Sequence, residues 1–105
     1  MAPNDAKYHA LLARSLATVE QYHKEAIEHF EIAIELDPWN VGIHFLFAEV
    51  CEEMQLAARA RALYSKILEI DPTHAKSLER LAEMDAREKG EQPASMISRM
   101  FGKRA

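Results

Sequence analysis

The chain has 105 residues, about half of them apolar, and carries 13 Lys and Arg against 17 Asp and Glu, for a formal net charge of −4. This length suits a single small domain. All 17 acidic residues lie at or before Glu91, so the body of the chain is acidic and only the segment after Glu91 is basic. Because phosphate binding needs a basic surface, this balance argues against nucleic acid as the main ligand.

Cysteine use and the lengths of the apolar runs bear on the cellular compartment. Cys51 is the one cysteine, so this sequence contains no internal disulfide, and a reducing compartment fits. The N-terminal segment lacks the basic and long apolar regions of a signal peptide. No apolar run approaches about 18 residues, the length that spans a membrane. We therefore expect a soluble, cytoplasmic protein.

Apolar residues at three- and four-residue spacing predict five amphipathic helices, over residues 6–18, 24–36, 41–54, 57–70 and 75–89. The candidate N-caps are Asn4 or Asp5, Asn40, and Thr73 or His74. Pro38 and Pro72 end the second and fourth helices, since the residue before a proline disfavours helix. Gly90 and Pro93 end the fifth.

Two stretches of the chain, 26–38 and 60–72, end alike. Each has an alanine, an aromatic residue four positions later, a smaller apolar residue three beyond that, and a closing Asp-Pro: Ala26, Phe30, Ala33 and Pro38, then Ala60, Tyr64, Ile67 and Pro72. This period and pattern resemble the tetratricopeptide repeat, a helix–turn–helix unit of about 34 residues. The resemblance divides the chain into two full repeats (6–40 and 41–74) and a half repeat (75–89), with one extra residue in the first turn, near Tyr22.

The resemblance implies an all-α fold, an α-solenoid of five antiparallel helices at 6–90 with a lead-in at 1–5 and a basic amphipathic tail at 91–105. One repeat unit does not bury its apolar face alone, so the helices must stack. We expect one continuous core that contains Leu12, Ala26, Phe30, Ala33, Phe47, Ala60, Tyr64, Ile67 and Leu81. The sequence departs from the family by lacking the usual turn glycine and by placing His9 and His44 where tryptophan is common.

In this family the first helix of each repeat lines a concave groove, which is the candidate functional site. Mapped onto this chain, the groove side chains are Lys7, Ala10, Arg14, Phe45, Leu46, Glu49, Glu52, Lys76, Glu79, Arg80 and Glu83. Phe45 and Leu46 stand out as large apolar groups, and aromatic anchors are typical binding hot spots. Two interpretations of Phe45 stay open: a solvent-exposed anchor for a partner, or a core residue of a generously apolar central helix.

One subclass of the family binds acidic C-terminal peptides through a carboxylate clamp of two Lys, two Asn and one Arg. Lys76 and Arg80 match the cations that the third unit of that clamp contributes. Ala10, Arg14 and Leu46, however, stand where the clamp needs Lys and Asn. We therefore expect no such clamp, and we interpret Lys76 and Arg80 as solvated charges.

The histidines and the cysteine raise the question of a metal site. His9, His44 and Cys51 fall on adjacent helices, where three ligands of one metal ion could in principle meet. They lack a CxxC or HExxH spacing, however, and a free cysteine is commonly a small buried hydrophobe. We expect no metal and no cofactor. The remaining histidines are expected at the surface: His23, His29 and His74. Because the serines lack a nucleophile-elbow context and no Gly-rich phosphate loop is present, we expect no enzyme.

The leading functional hypothesis is a non-catalytic interaction module or scaffold that holds a peptide or partner protein in its groove. Two alternatives stay open. One is a peripheral membrane adaptor that uses the basic tail, and the other is a homo-oligomer whose exposed repeat faces stack on copies of the chain.

The tail carries four apolar residues at spacings that share one helical face: Met96, Ile97, Met100 and Phe101. It could dock as a short cap on the fifth helix, lie on an anionic membrane, or stay disordered until a partner arrives. Its three basic residues contribute roughly 1 kcal/mol each near an anionic surface, so membrane attachment by the tail alone is weak. We expect partial docking on the fifth helix.

Overall fold

The structure of the chain is a computed structural model, and it describes residues 5–90. Over this range the chain forms α1 (Ala6–Leu16), α2 (His23–Leu36), α3 (Val41–Glu53), α4 (Ala57–Ile70) and α5 (Ala75–Glu88), with a short 3-10 turn, Glu20–Tyr22, before α2. The predicted all-α class is confirmed. The predictions about the tail lie outside the described residues.

Side-chain caps begin three of the helices, each on a predicted residue. The carboxylate of Asp5 accepts a hydrogen bond from a backbone N–H in the first turn of α1 (2.9 Å), and the Asn40 side chain does the same for α3 (3.1 Å). The Nδ1 atom of His74 caps α5 (3.2 Å). Helix α1 ends at Leu16, short of its predicted end at Thr18, where the Thr18 hydroxyl donates to a carbonyl of the last turn (2.8 Å). All other predicted ends agree to within a single position.

The turn between α3 and α4 contains a residue other than glycine in the left-handed backbone conformation. Gln55 has φ 65°, and the next backbone N–H, that of Leu56, donates to the Cys51 carbonyl at 2.8 Å. This bond satisfies a carbonyl at the end of α3, as in the common helix-terminating motif that favours glycine at the left-handed position. Gly90, with φ 74°, follows α5 in the same conformation. The turn between α3 and α4 therefore keeps this conformation although both complete repeats lack the turn glycine.

One core connects the first two repeats. Seven of the nine predicted core residues are buried: Ala26, Phe30, Ala33, Phe47, Ala60, Tyr64 and Ile67. The rings of Phe30 on α2 and Phe47 on α3 lie nearly parallel, with centroids 4.6 Å apart. Because aromatic pairs add to the free energy of burial, this contact joins the repeats at their centre.

The other two predicted core residues lie at the two ends of the stack. Leu81 on α5 is partly buried and packs against the edge of the core. Leu12 on α1 is partly exposed and lines a shallow, open cavity of about 300 Å³ beside the exposed Leu11. The prediction for Leu12 is wrong because α2 and α3 pack on the other side of α1, and no further helix of residues 5–90 covers this side.

Candidate functional site

The predicted groove residues lie on α1, α3 and α5, the first helices of successive repeats. On each helix most of them recur at three-, four- or seven-residue spacing and therefore share a face. Ala10 is the exception, since it is buried in the core and does not line the surface. The faces of α3 and α5 belong to one surface, since Glu52 of α3 and Arg80 of α5 are in direct contact. This surface is the candidate site, and the name groove is kept for it below.

Charged side chains without intramolecular partners lie along the groove. Lys7 and Arg14 on α1 and Lys76 on α5 are exposed, and their side chains make no hydrogen bond or ion pair within the described part of the chain. Glu49 on α3 is exposed in the same way. Glu79 on α5 is also exposed and has no partner within residues 5–90, so these five charges are the ones that a ligand in the groove could engage without breaking the fold.

Phe45 and Leu46 provide apolar surface at the middle of the groove. Phe45 is partly buried: its ring centroid lies 5.6 Å from that of Tyr64, edge-on, and 5.3 Å from that of His74. Leu46 is also partly buried, and both residues pack against the core. Phe45 thus lies between the two interpretations that the sequence left open, since the ring is held by α4 and the start of α5 while some of its surface stays accessible.

A carboxylate on α3 binds α4 and α5 together. Glu52, whose side chain is 13% exposed, accepts two hydrogen bonds from the Arg80 guanidinium, at 3.1 Å from Nε and 2.5 Å from Nη2. The Tyr64 hydroxyl donates to the same carboxylate at 2.6 Å. Two-point Arg–carboxylate pairs are among the strongest polar contacts in proteins, so this network fixes α5 against α3.

The network sets the protonation state of its members. Burial raises the pKa of Glu52, but the hydrogen bonds from Arg80 and Tyr64 outweigh burial, and the net pKa lies below the ordinary 4.5. Burial, and then the bond to Glu52, raises the pKa of Tyr64. Arg80 also pairs with Glu83 at 3.3 Å. Arg80 is thus a structural ion-pair partner rather than the solvated charge expected from the sequence, whereas Lys76 is solvated.

Beside this network, at the ends of α3 and α5, lies an open cavity of about 360 Å³. Its lining residues are Glu52, Gln55, Ala57, Met84 and Arg87. Arg87 is 3.7 Å from the Glu52 carboxylate, at the limit of an ion pair. The groove therefore continues into a recess with a polar wall.

The histidines and the cysteine have separate structural partners. His44 is buried and donates from Nε2 to the Pro38 carbonyl at 2.8 Å, and Nδ1 of His9 meets Nδ1 of His29 at 2.9 Å. Cys51 is fully buried, and burial raises the pKa of its thiol to about 11. A thiol with that pKa is a poor nucleophile and metal ligand at neutral pH. Residues 5–90 contain no cluster of three or more side chains suited to a metal ion.

The expectation that the remaining histidines are ordinary surface residues is wrong. His29 pairs with His9, the ring of His23 donates to the Ala17 carbonyl at 3.0 Å, and His74 caps α5. The cap at His74 was among the candidate N-caps, but the contacts of His23 and His29 join different elements, and sequence spacing alone does not reveal them.

The sequence reasoning missed Trp39, the most exposed large apolar residue of the described chain at 70%. It lies in the turn between α2 and α3, with the Lys66 ammonium 5.7 Å from its ring centroid, and exposed Ile32 and Leu36 precede it on α2. The signal was its place directly after the Asp-Pro that closes the first repeat, where the second repeat has Thr73. An exposed tryptophan is a common contact in protein interfaces.

Comparison with known proteins points in one direction. A family model described as the tetratricopeptide repeat matches residues 20–92, from the 3-10 turn to beyond α5, which is more than half of the chain. A search of curated proteins gives no match. Among the helices of residues 5–90, none has the combined length and apolarity needed to cross a bilayer.

Proposed function

This chain belongs to the tetratricopeptide repeat family, and we propose that its groove binds an extended peptide segment of a partner protein without catalysing a reaction. Repeats of this family are generally protein–protein interaction modules. The observation that carries the proposal is the partly exposed ring of Phe45 on α3, together with exposed charges on α1 and α5 that have no partner within residues 5–90. The buried, reduced Cys51 suits the cytoplasm, the compartment that we assign to the interaction.

The charges of the groove define the chemistry of the peptide. Lys7 and Arg14 make the α1 side positive, while Glu49 gives the centre one negative charge. Arg80 contributes little, because its charge is compensated by Glu52 and Glu83. The best complement is a peptide with an acidic residue over α1 and an apolar or aromatic residue over Phe45. Electrostatic complementarity of this kind fixes the direction of binding more than its strength.

The test begins with peptides selected from a random library on the immobilised full-length protein. Their affinity is then measured by fluorescence anisotropy for the wild type, Phe45→Ala and Ile32→Ala. Phe45→Ala should weaken binding by about 2 kcal/mol, roughly 30-fold. Ile32→Ala, which truncates an exposed apolar residue of α2 outside the groove, is the matched control and should leave the affinity unchanged.

A further variant separates loss of binding from loss of folding. Arg14→Glu reverses an exposed charge that has no partner in residues 5–90, so the fold should tolerate it. It should weaken binding of peptides with acidic residues, more strongly at low salt. Equal affinity for wild type, Phe45→Ala and Arg14→Glu would show that the peptides bind elsewhere and would overturn the proposal.

A further inference from the structure

Helix α5 exposes the face that its counterpart α3 buries. Three residues on one face of α3 are at most 2% exposed: His44, Ala48 and Cys51. The residues one repeat period later on α5 are all exposed: Leu78, Ala82 and Asp85. Leu78 reaches 51% exposure. The difference has a structural cause. Helix α4 packs closely against α3, whereas on this face of α5 it reaches Asp85 through the ion pair with Arg61 and leaves Leu78 and Ala82 exposed.

The apolar positions that α4 contributes to the core have counterparts one repeat period later, in the tail. On α4 they are Ala60, Leu63, Tyr64 and Ile67, all buried or partly buried. One repeat period later the sequence has Ala94, Ile97, Ser98 and Phe101. Three of these four are apolar, so the register of the repeat continues beyond the described residues.

The backbone conformation directly after α5 is also the same as that directly after α3. Gly90, at φ 74°, follows α5 as Gln55, at φ 65°, follows α3, and that conformation leads the chain from α3 into α4. The segment after Gly90, 91–105, is long enough to form a helix of the length of α4. Pro93 corresponds to Arg59, in the first turn of α4. A proline is tolerated there because the first-turn N–H groups have no partner within a helix.

We propose that residues 91–105 pack across the open face of α5 as the second helix of a third repeat, with Ala94, Ile97 and Phe101 directed at Leu78 and Ala82. The charges agree with this occupant. Asp85 and Glu88 on α5 share the one cation Arg61 of α4, at 2.7 and 2.8 Å, so their two negative charges are only half compensated. The tail holds three basic residues and no acid after Glu91. The small Ser98 replaces Tyr64, so this contact is weaker than that between α3 and α4.

The register also separates the four apolar residues of the tail into two pairs. Ile97 and Phe101 correspond to Leu63 and Ile67, which face the core. Met96 and Met100 correspond instead to two exposed residues of α4, Ala62 and Lys66. The proposal therefore assigns Ile97 and Phe101 to the contact with α5 and leaves Met96 and Met100 outside it.

The test uses four matched variants of the full-length chain: Ile97→Asp, Phe101→Asp, Met96→Asp and Met100→Asp. Each replaces an apolar tail residue by the same acid. Amide hydrogen exchange in α5 is followed by NMR, with the amides of α2 as an internal reference. The first two variants should accelerate exchange in α5 about tenfold, because they remove the cover of its open face, while the methionine variants leave it unchanged.

Each other outcome overturns the proposal. Unchanged exchange in all four variants would show that the tail does not cover α5, and equal acceleration in all four would show that the register is wrong. If the acceleration depends on protein concentration and sedimentation shows a dimer, the occupant is a second copy. If α5 exchange is unchanged but the wild type alone binds phosphatidylserine vesicles, the apolar tail residues serve a membrane contact.

Discussion

Helices α3 and α5 occupy equivalent places in consecutive repeats and differ in what surrounds them. Helix α3 is packed from two sides, by α1 and α2 before it and by α4 after it, and six of its residues are buried. Helix α5 is packed by α4, and only Ser77 and Met84 are buried. The distribution of apolar residues around each helix agrees with this difference in packing, since α3 is apolar on most sides and α5 is strongly amphipathic. Position in the stack, rather than position in the repeat, decides which residues form the core.

The largest expected effect is the loss of an aromatic side chain from the shared core. Phe30→Ala should lower the free energy of unfolding by about 3–5 kcal/mol, because Phe30 is fully buried against Phe47. Leu78→Ala, on the open face of α5, should cost about 1 kcal/mol or less. Urea denaturation followed by circular dichroism measures both. A cost for Leu78→Ala as large as that for Phe30→Ala would show that the open face of α5 is packed as closely as the core between α2 and α3.

The next effect concerns the polar link between the same helices. Glu52→Gln should cost about 1–2 kcal/mol, because it weakens the charged hydrogen bonds of Arg80 and Tyr64 to α3. Glu83→Gln is the control, since Glu83 is more exposed and pairs with Arg80 only within α5. It should cost a few tenths of a kcal/mol at most, as is usual for exposed pairs. Urea denaturation of both variants at neutral pH measures the difference.

The same carboxylate predicts a pH dependence. The pKa of Glu52 in the folded chain lies below its ordinary 4.5, so its contribution is present above pH 4.5 and is lost as the pH falls through the folded-state pKa. The stability difference between wild type and Glu52→Gln should therefore shrink on acidification below 4.5. A difference that stays constant across an acid titration would show that the Glu52 charge does not stabilise the fold.

The smallest effect concerns the two left-handed turn residues. Gln55→Gly should stabilise the protein by about 0.5–1 kcal/mol, since glycine adopts φ 65° without strain but loses more entropy on folding. Gly90→Ala should have the opposite sign, because its φ of 74° strains any side chain although the space around it is open. Thermal unfolding of the two variants measures both shifts. A destabilising Gln55→Gly would mean that the glutamine side chain holds the turn.

The repeat period was enough to predict most of the fold. The recurrence of Ala26 and Phe30 as Ala60 and Tyr64 fixes which face of each second helix is buried, and those residues are buried. The same period misplaced Leu12, because it assumes a neighbour on both sides of every helix. Edges of a stack break that assumption.

The groove was harder to predict than the core. The spacing placed the groove residues on three helices. It did not show that Arg80 is paired with Glu52 or that the ring of Phe45 contacts the ring of His74. The Glu52–Arg80 contact joins residues of different repeats, and its geometry depends on how far α5 is rotated against α3. A residue pattern contains no direct record of that rotation.

The most direct test of the comparison is one substitution made at two equivalent positions. Ala48→Leu on α3 and Ala82→Leu on α5 add the same bulk one repeat period apart, at a fully buried and an exposed site. The free energy of unfolding should fall by about 1–3 kcal/mol for Ala48→Leu, because α4 has no room to shift. For Ala82→Leu it should fall by less than about 1 kcal/mol, since only the weaker tail contact is displaced. Equal losses at the two positions would contradict the claim that the stack, and not the repeat, decides burial.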